Sequence, residues 1–228
     1  MQTYKSGGMK TMAFDTPNDV ENTSGFNSGD YWQERYESGR TSGAGSYNRL
    51  ADFKAEIINS FVESNGVHSV IEWGCGDGNQ LQYMNFDEYL GLDVSSSAIG
   101  LCKTKFCEDP TKEFKVINDE ITINKEYELA LSLDVIFHLV EDSVFEKYMV
   151  SLFSSSSKYV CIYSSNTDDQ KKYMNLVKHV RHREFTGFVA DRMKGFELIS
   201  HIKNKYPYNL LNPKNTSFAD FYFYELKS

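Results

Sequence analysis

The chain has 228 residues and a formal net charge of −8, with a sequence pI near 5.2. That length suits one α/β domain with a sizeable core and is short for two, and the acidic balance offers no general field to draw the protein to nucleic acid or anionic lipid. No apolar run approaches a membrane span and the N-terminus has no apolar signal core, so the expectation is a cytoplasmic protein whose partner is a small molecule, with no nucleic acid and no membrane.

In chain order, residues 1–28 are rich in Ser, Gly, Thr, Asn and Asp and cannot bury enough surface to offset their chain entropy, so they read as a disordered tail or as a lid. The cluster Asp30-Tyr31-Trp32-Gln33-Glu34-Arg35-Tyr36 has helical spacing, and a flexible Ser/Gly loop, 38–46, follows it. Its aromatics either pack over a ligand mouth that the loop closes, or simply dock a helix on the domain. Asn48 to Ser64 repeats apolar residues every three or four positions, the mark of a one-faced helix. Arg49 and Lys54 on it could meet a carboxylate, although a solvated face is the commoner fate of such charges.

Ser69 to Gly78 reads as a buried strand that ends in the acid Glu72 and runs into a turn with Gly74, Gly76 and Gly78 at alternate positions. Without a Cβ, such a turn lets a nucleotide-like ligand press against backbone N–H groups. A short helix is expected over Asn79–Phe86, a second strand over Glu88–Val94 ending at Asp93, and a helix over Ala98–Cys107 capped by Ser95-Ser96-Ser97. Further strands are Phe114–Asn118, the nearly continuous apolar run Glu128–Val135, and Tyr159–Tyr163, with a helix over Glu141–Ser154. A basic stretch, Lys178-His179-Val180-Arg181-His182-Arg183, lies on a helix or loop, and Phe196–Lys203 and Phe218–Leu226 read as a closing antiparallel pair. The four cysteines, Cys75, Cys102, Cys107 and Cys161, form no C-x-x-C pair and read as reduced, packed thiols.

Glu72 to Gly78 with Asp93 resembles the E/D-x-G-x-G-x-G loop and following acid of the class I S-adenosylmethionine (SAM) methyltransferases, over roughly Gly66 to Asn166. The resemblance implies a Rossmann-like class I methyltransferase fold: α/β, a seven-stranded mostly parallel sheet with helices on both faces and an N-terminal helical lid. It implies a flexible segment at 1–28 and one domain over 29–228, made of a helical cap (29–65), a SAM-binding core (66–166) and substrate-side helix and strands (167–228). It also implies SAM as cofactor and S-adenosylhomocysteine (SAH) as product. Gly74, Cys75, Gly76 and Gly78 would lie along the methionine part, Glu72 would reach its amino group directly or through water, and Asp93 would hold the ribose. Tyr36, Val94 and Asp134 complete the expected cofactor site, with Asp119 at the adenine amino group or else a turn acid without a role.

For the chemistry, His138, four residues past Asp134, is placed to take a proton from an acceptor hydroxyl, or else caps the next helix. His179, Arg181 and His182 with Arg183 would recognise an anion on the acceptor, or form a solvated face. Asp134, His138, His179 and His182 could also supply ligands to a divalent cation, though no spacing is diagnostic. Looser likenesses around 30–36, 41–47, 134–139 and 179–183 resemble small bacterial methyltransferases of sugar and surface-polysaccharide biosynthesis and imply methylation of an oxygen on a sugar, phosphate derivative or nucleotide-linked precursor. The alternatives are a non-catalytic SAM-binding scaffold, or an NAD(P)-dependent oxidoreductase, against which the G-x-G-x-G spacing argues.

Overall fold

The computed structural model describes residues 25–118, 121, 123, 125–173 and 177–227. Seven strands, β1 (Ser69–Trp73), β2 (Glu88–Asp93), β3 (Lys112–Val116), β4 (Tyr127–Leu133), β5 (Ser156–Ser164), β6 (Phe196–Ile202) and β7 (Asp220–Leu226), form one sheet in the order β3-β2-β1-β4-β5-β7-β6. The first five are mutually parallel, and β7 runs antiparallel between β5 and β6. The closing pair is therefore present as expected, with β7 an interior strand and β6 at the edge. This explains why Phe221, Tyr222, Phe223 and Tyr224 are all buried although the residues alternate between faces.

Around that sheet lie α1 (Ser28–Glu37), α2 (Asn48–Asn65), α3 (Ser96–Lys105), α4 (Asp142–Ser154) and α5 (Phe185–Arg192). Successive strand residues serve opposite cores: Val70, Tyr89, Leu129 and Leu131 pack with Phe53, Ile58, Ile99 and Cys102 of α2 and α3. Ile71, Leu90, Ala130 and Val160 pack with Phe145, Met149, Leu152 and Val189 of α4 and α5. Burial on both faces is why β1, β2 and β4 read as apolar runs rather than alternating ones. Helix α2 stops at Gly66, whose left-handed backbone (φ 59) lets its N–H reach back to the last carbonyls.

One local expectation is corrected, and one open alternative is resolved. The segment expected as a helix over 79–86 is a single 3-10 turn, Gln80–Tyr83, whose Gln80 side chain donates to the Ala51 carbonyl, so tertiary bonding replaces further turns. The basic stretch 178–183 lies in the irregular segment before α5. Asn27 caps α1 by accepting from the Asp30 N–H, and Ser28 donates from both N and Oγ to Glu141, which places α1 across the carboxyl ends of the parallel strands. Among the described residues no helix is long and apolar enough to cross a membrane.

Candidate active site

A cavity of about 300 Å³ lies outside the carboxyl ends of β1, β2 and β4, where open α/β sheets take their ligands. Its walls include Glu72, Gly74, Cys75 and Gly76 from the first strand and turn, Asp93 and Val94 from the second, Asp134 after β4, and Trp32 and Tyr36 of α1. The glycines are needed for close approach by protein as much as by ligand. A Cβ on Gly74 would lie 2.5 Å from Val135 Cγ2, and one on Gly76 would lie 2.4 Å from Ser42 Oγ. Gly78 does not line this cavity; its missing Cβ admits Phe106 and Cys102 of the α3 end, so its role is helix packing.

The two buried acids are held differently. Asp93 accepts the N–H groups of Gly76 and Ser95, both at 2.9 Å, and burial pushes its carboxyl up to about 6 against the lowering by those bonds. Glu72 accepts one hydroxyl, from Tyr89 at 2.6 Å, and burial pushes it up to about 7. Cys75 is a buried thiol beside Cys102, and that contact together with burial pushes it well up, which makes it inert packing rather than a nucleophile. Tyr36 stays a neutral phenol, raised by burial and by Asp93, with its hydroxyl 3.0 Å from Ser42 Oγ.

A second cavity of about 460 Å³ adjoins the first and shares Trp32, Ser42, Ser46, Asp134 and His138 with it. Arg35, Phe137, His179, Tyr208 and Phe218 are among its other walls. His138 Nδ1 lies 2.7 Å from the His179 carbonyl. A carbonyl can only accept, so Nδ1 carries the proton and Nε2 carries the lone pair. Burial, only partly offset by that bond, pushes the imidazole down to about 3, which favours its neutral form. Its ring meets Trp32 edge-on at 4.8 Å and stacks on His179, which in turn stacks on Tyr31 at 4.7 Å. The aromatics of α1 thus both line the cavities and dock the helix.

The rest of the basic stretch does not join them. Arg181 meets Asp142 at 3.1 Å and donates to the Val140 carbonyl, and Arg183, buried over the Phe145 ring, donates to Asp142 and to the Leu139 and Val140 carbonyls. His182 is buried behind Phe218, with Nδ1 2.7 Å from Ser165 Oγ. Among the described residues no group of three or more His, Cys, Asp or Glu side chains is placed to hold a metal ion. Asp119 falls outside the described residues.

The sequence matches no family model and no curated protein. Solved structures do match. The N-methyltransferase NodS from Bradyrhizobium japonicum WM9, in complex with SAH, superposes with a TM-score of 0.69 at 10% identity, over 89% of this chain and 100% of that one. Magnesium protoporphyrin IX methyltransferase (ChlM) from Synechocystis PCC 6803, with bound SAM, gives 0.61 at 14%, over 90% and 99%. The methyltransferase domain of bacterial CtHen1-C gives 0.58 at 18%, over 77% and 97%. This is the Rossmann-like class I methyltransferase fold.

Within the methyltransferase fold, two further side chains stand out: Lys54, which the sequence offered as a partner for a carboxylate, and Asp77, to which it gave no role. Lys54, completely buried on α2, places Nζ 2.6 Å from Asp134 Oδ2. Asp77, inside the glycine turn, accepts from the Ser42 N–H and the Tyr47 hydroxyl, and its own N–H donates to Ser42 Oγ. Burial pushes Asp77 up, yet those bonds and the Asn79 N–H hold it below its ordinary value. Only the position of Asp77 in the turn pointed to it; nothing in the spacing showed a carboxylate tied to a loop 35 residues earlier.

Proposed function

We propose that the protein is a SAM-dependent O-methyltransferase acting on a small acceptor that carries an anionic group, a sugar, phosphate derivative or nucleotide-linked precursor of the kind used in surface-polysaccharide biosynthesis. The observation that carries the reading is the pair of buried carboxylates, Glu72 and Asp93, flanking the Gly74 and Gly76 backbone in a cavity that shares a wall with a second, aromatic one. The donor set fits the cofactor. Each Asp93 oxygen accepts one backbone N–H and keeps a lone pair for a ribose hydroxyl, while Glu72, poised at about 7, would ionise beside an ammonium. When bound, the cofactor supplies a methyl carbon on a sulfonium, whose bond breaks with its electron pair staying on sulfur.

The chain's own residues then have to orient the acceptor and exclude water. Trp32 and Tyr36 cover the first cavity, and an aromatic face suits a sulfonium cation. In the second cavity His138 offers Nε2 as an acceptor for a hydroxyl, and Arg35 supplies the positive charge for an anionic group, a role that its contacts support better than those of Arg181. Titration of the purified protein with SAH by calorimetry tests the cofactor site. Wild type should bind, and Asp93→Ala should lose about 10- to 100-fold in affinity, the scale of one or two charge-assisted hydrogen bonds. Equal affinities would remove Asp93 from the site, and no heat with wild type would overturn the reading.

A further inference from the structure

Asp134 stands in the wall common to both cavities. Its backbone is left-handed (φ 62), a conformation side chains other than glycine rarely adopt, and Asn48 is the only other such case among the described residues. Its Oδ2 is taken by the completely buried Lys54. It is also pressed by Gly45, where a Cβ would come within 2.8 Å. Strained backbone, a buried ion pair and a close glycine together hold one carboxylate in one orientation. A buried ion pair is weak evidence for stability, since well-packed apolar side chains usually do as well or better. Here it fixes the orientation of the Asp134 side chain. Oδ1, the other oxygen, has no donor among the described residues.

Resting on the methyltransferase reading above, we propose that Asp134, positioned by Lys54, receives the acceptor's proton, and that the methylated atom is therefore protic: an alcohol, phenol or amine, and not a carboxylate or phosphate oxygen. An anionic oxygen brought against Asp134 would meet a like charge with no freedom to turn away. A hydroxyl or amine instead donates to Oδ1 and is aimed by that bond. The acceptor atom forms its new bond to carbon with its own lone pair. As that bond grows a hydroxyl proton becomes strongly acidic, whereas an amine, protonated when free, must give up its proton first to expose the lone pair; in either case the carboxylate receives one proton and passes it to water. One proton is released for each methyl group moved. His138 shares the wall and contributes orientation through its lone pair.

The experiment uses the full chain and its Asp134→Asn and Lys54→Met variants, with SAH for calorimetry. Methyl-labelled SAM is then supplied with a panel of hydroxyl, amine, carboxylate and phosphate compounds in weakly buffered solution. Asp134→Asn should keep SAH affinity within about threefold while kcat for the labelled acceptor falls about 100-fold or more. Lys54→Met should lower kcat by about tenfold, acting through Asp134, with SAH affinity again held. Label should enter only hydroxyl or amine compounds, with one proton released per label. Label on a carboxylate or phosphate oxygen, unchanged kcat in Asp134→Asn, or SAH binding without label in any hydroxyl or amine compound would each overturn the assignment and leave the cofactor site standing. Failure of wild type to bind SAH would remove both. Asp134→Asn is close to isosteric, so the test survives if Lys54→Met does not fold.

Discussion

Glu72 is the residue whose electrostatics are most open to measurement. It is buried with a single hydroxyl partner, and its carboxyl is raised from an ordinary 4.5 to about 7. A carboxyl raised in the folded state works against stability as pH climbs: below 4.5 both states are protonated and nothing is lost, whereas up to about 7 the unfolded chain ionises first. The ligand-free protein should therefore lose roughly 3 kcal/mol from this group between pH 4.5 and 7. Asp93, raised to about 6, adds a loss in the lower part of that window. Denaturant melts across it should show the decline, and Glu72→Gln should be shallower; parallel curves would mean that Glu72 is already ionised. SAH binding should release a proton near pH 6.5, because the ligand's ammonium would restore the charge. Glu72 and Asp93 were legible in the sequence because an acid ending a buried strand before a glycine turn has few other uses. Lys54 was legible only as a residue that could meet some carboxylate, with a solvated helix face the commoner fate, because only the fold brings Asp134, 80 residues on, against it.

Among the elements, the segment from Thr41 to Tyr47 decides how the site is closed. It is tied to the glycine turn by both directions of the Ser42–Asp77 pairing, by the Tyr47 hydroxyl, and by Asn79 Nδ2 on the Ser46 carbonyl at 2.7 Å. Five of its residues line the second cavity or both cavities, so the same bonds shape the walls. Replacing Asp77 by Ala removes the acceptor for three donors, the Ser42 and Asn79 N–H groups and the Tyr47 hydroxyl, and should cost about 2–3 kcal/mol of local order. The expected result is faster tryptic cleavage after Arg40 and SAH affinity weaker by about tenfold, read by timed proteolysis and calorimetry. Unchanged cleavage would show that α1 alone holds the segment. That the segment closes over the cavities was open in the sequence, since flanking aromatics are equally consistent with docking a helix. The 3-10 turn at Gln80–Tyr83 was hidden for a similar reason: its start was visible, but the Gln80 bond that ends it crosses to α2.

For the molecule as a whole, the distribution of positive charge matters more than the net −8. The seven strands could be read from where apolar runs end, because parallel strands buried on both faces leave a plain signature, whereas their order in the sheet and its two cores came only with the fold. The basic stretch could not, because arginine that binds a substrate and arginine that braces a loop look alike before folding. Arg183 is a brace. It lies over Phe145, bonds Asp142 at 2.5 Å and satisfies the Leu139 and Val140 carbonyls, joining the segment before α5 to the turn that carries His138 into α4. Arg35, proposed above to meet the acceptor's anion, donates from Nε to the Thr41 carbonyl and lines the second cavity. Arg183→Ala strands the Leu139 carbonyl, leaves the Val140 carbonyl to Arg181 alone and exposes an aromatic ring, so it should cost about 2–3 kcal/mol and lower Tm by roughly 5–10 °C. Arg35→Ala should leave Tm within about 2 °C and raise the acceptor KM by about tenfold or more, the scale of one charge-assisted contact. Scanning calorimetry of both variants beside steady-state kinetics separates the two. If Arg183→Ala melts like wild type while acceptor KM rises, the acceptor's anion lies at the start of α4 and not at α1.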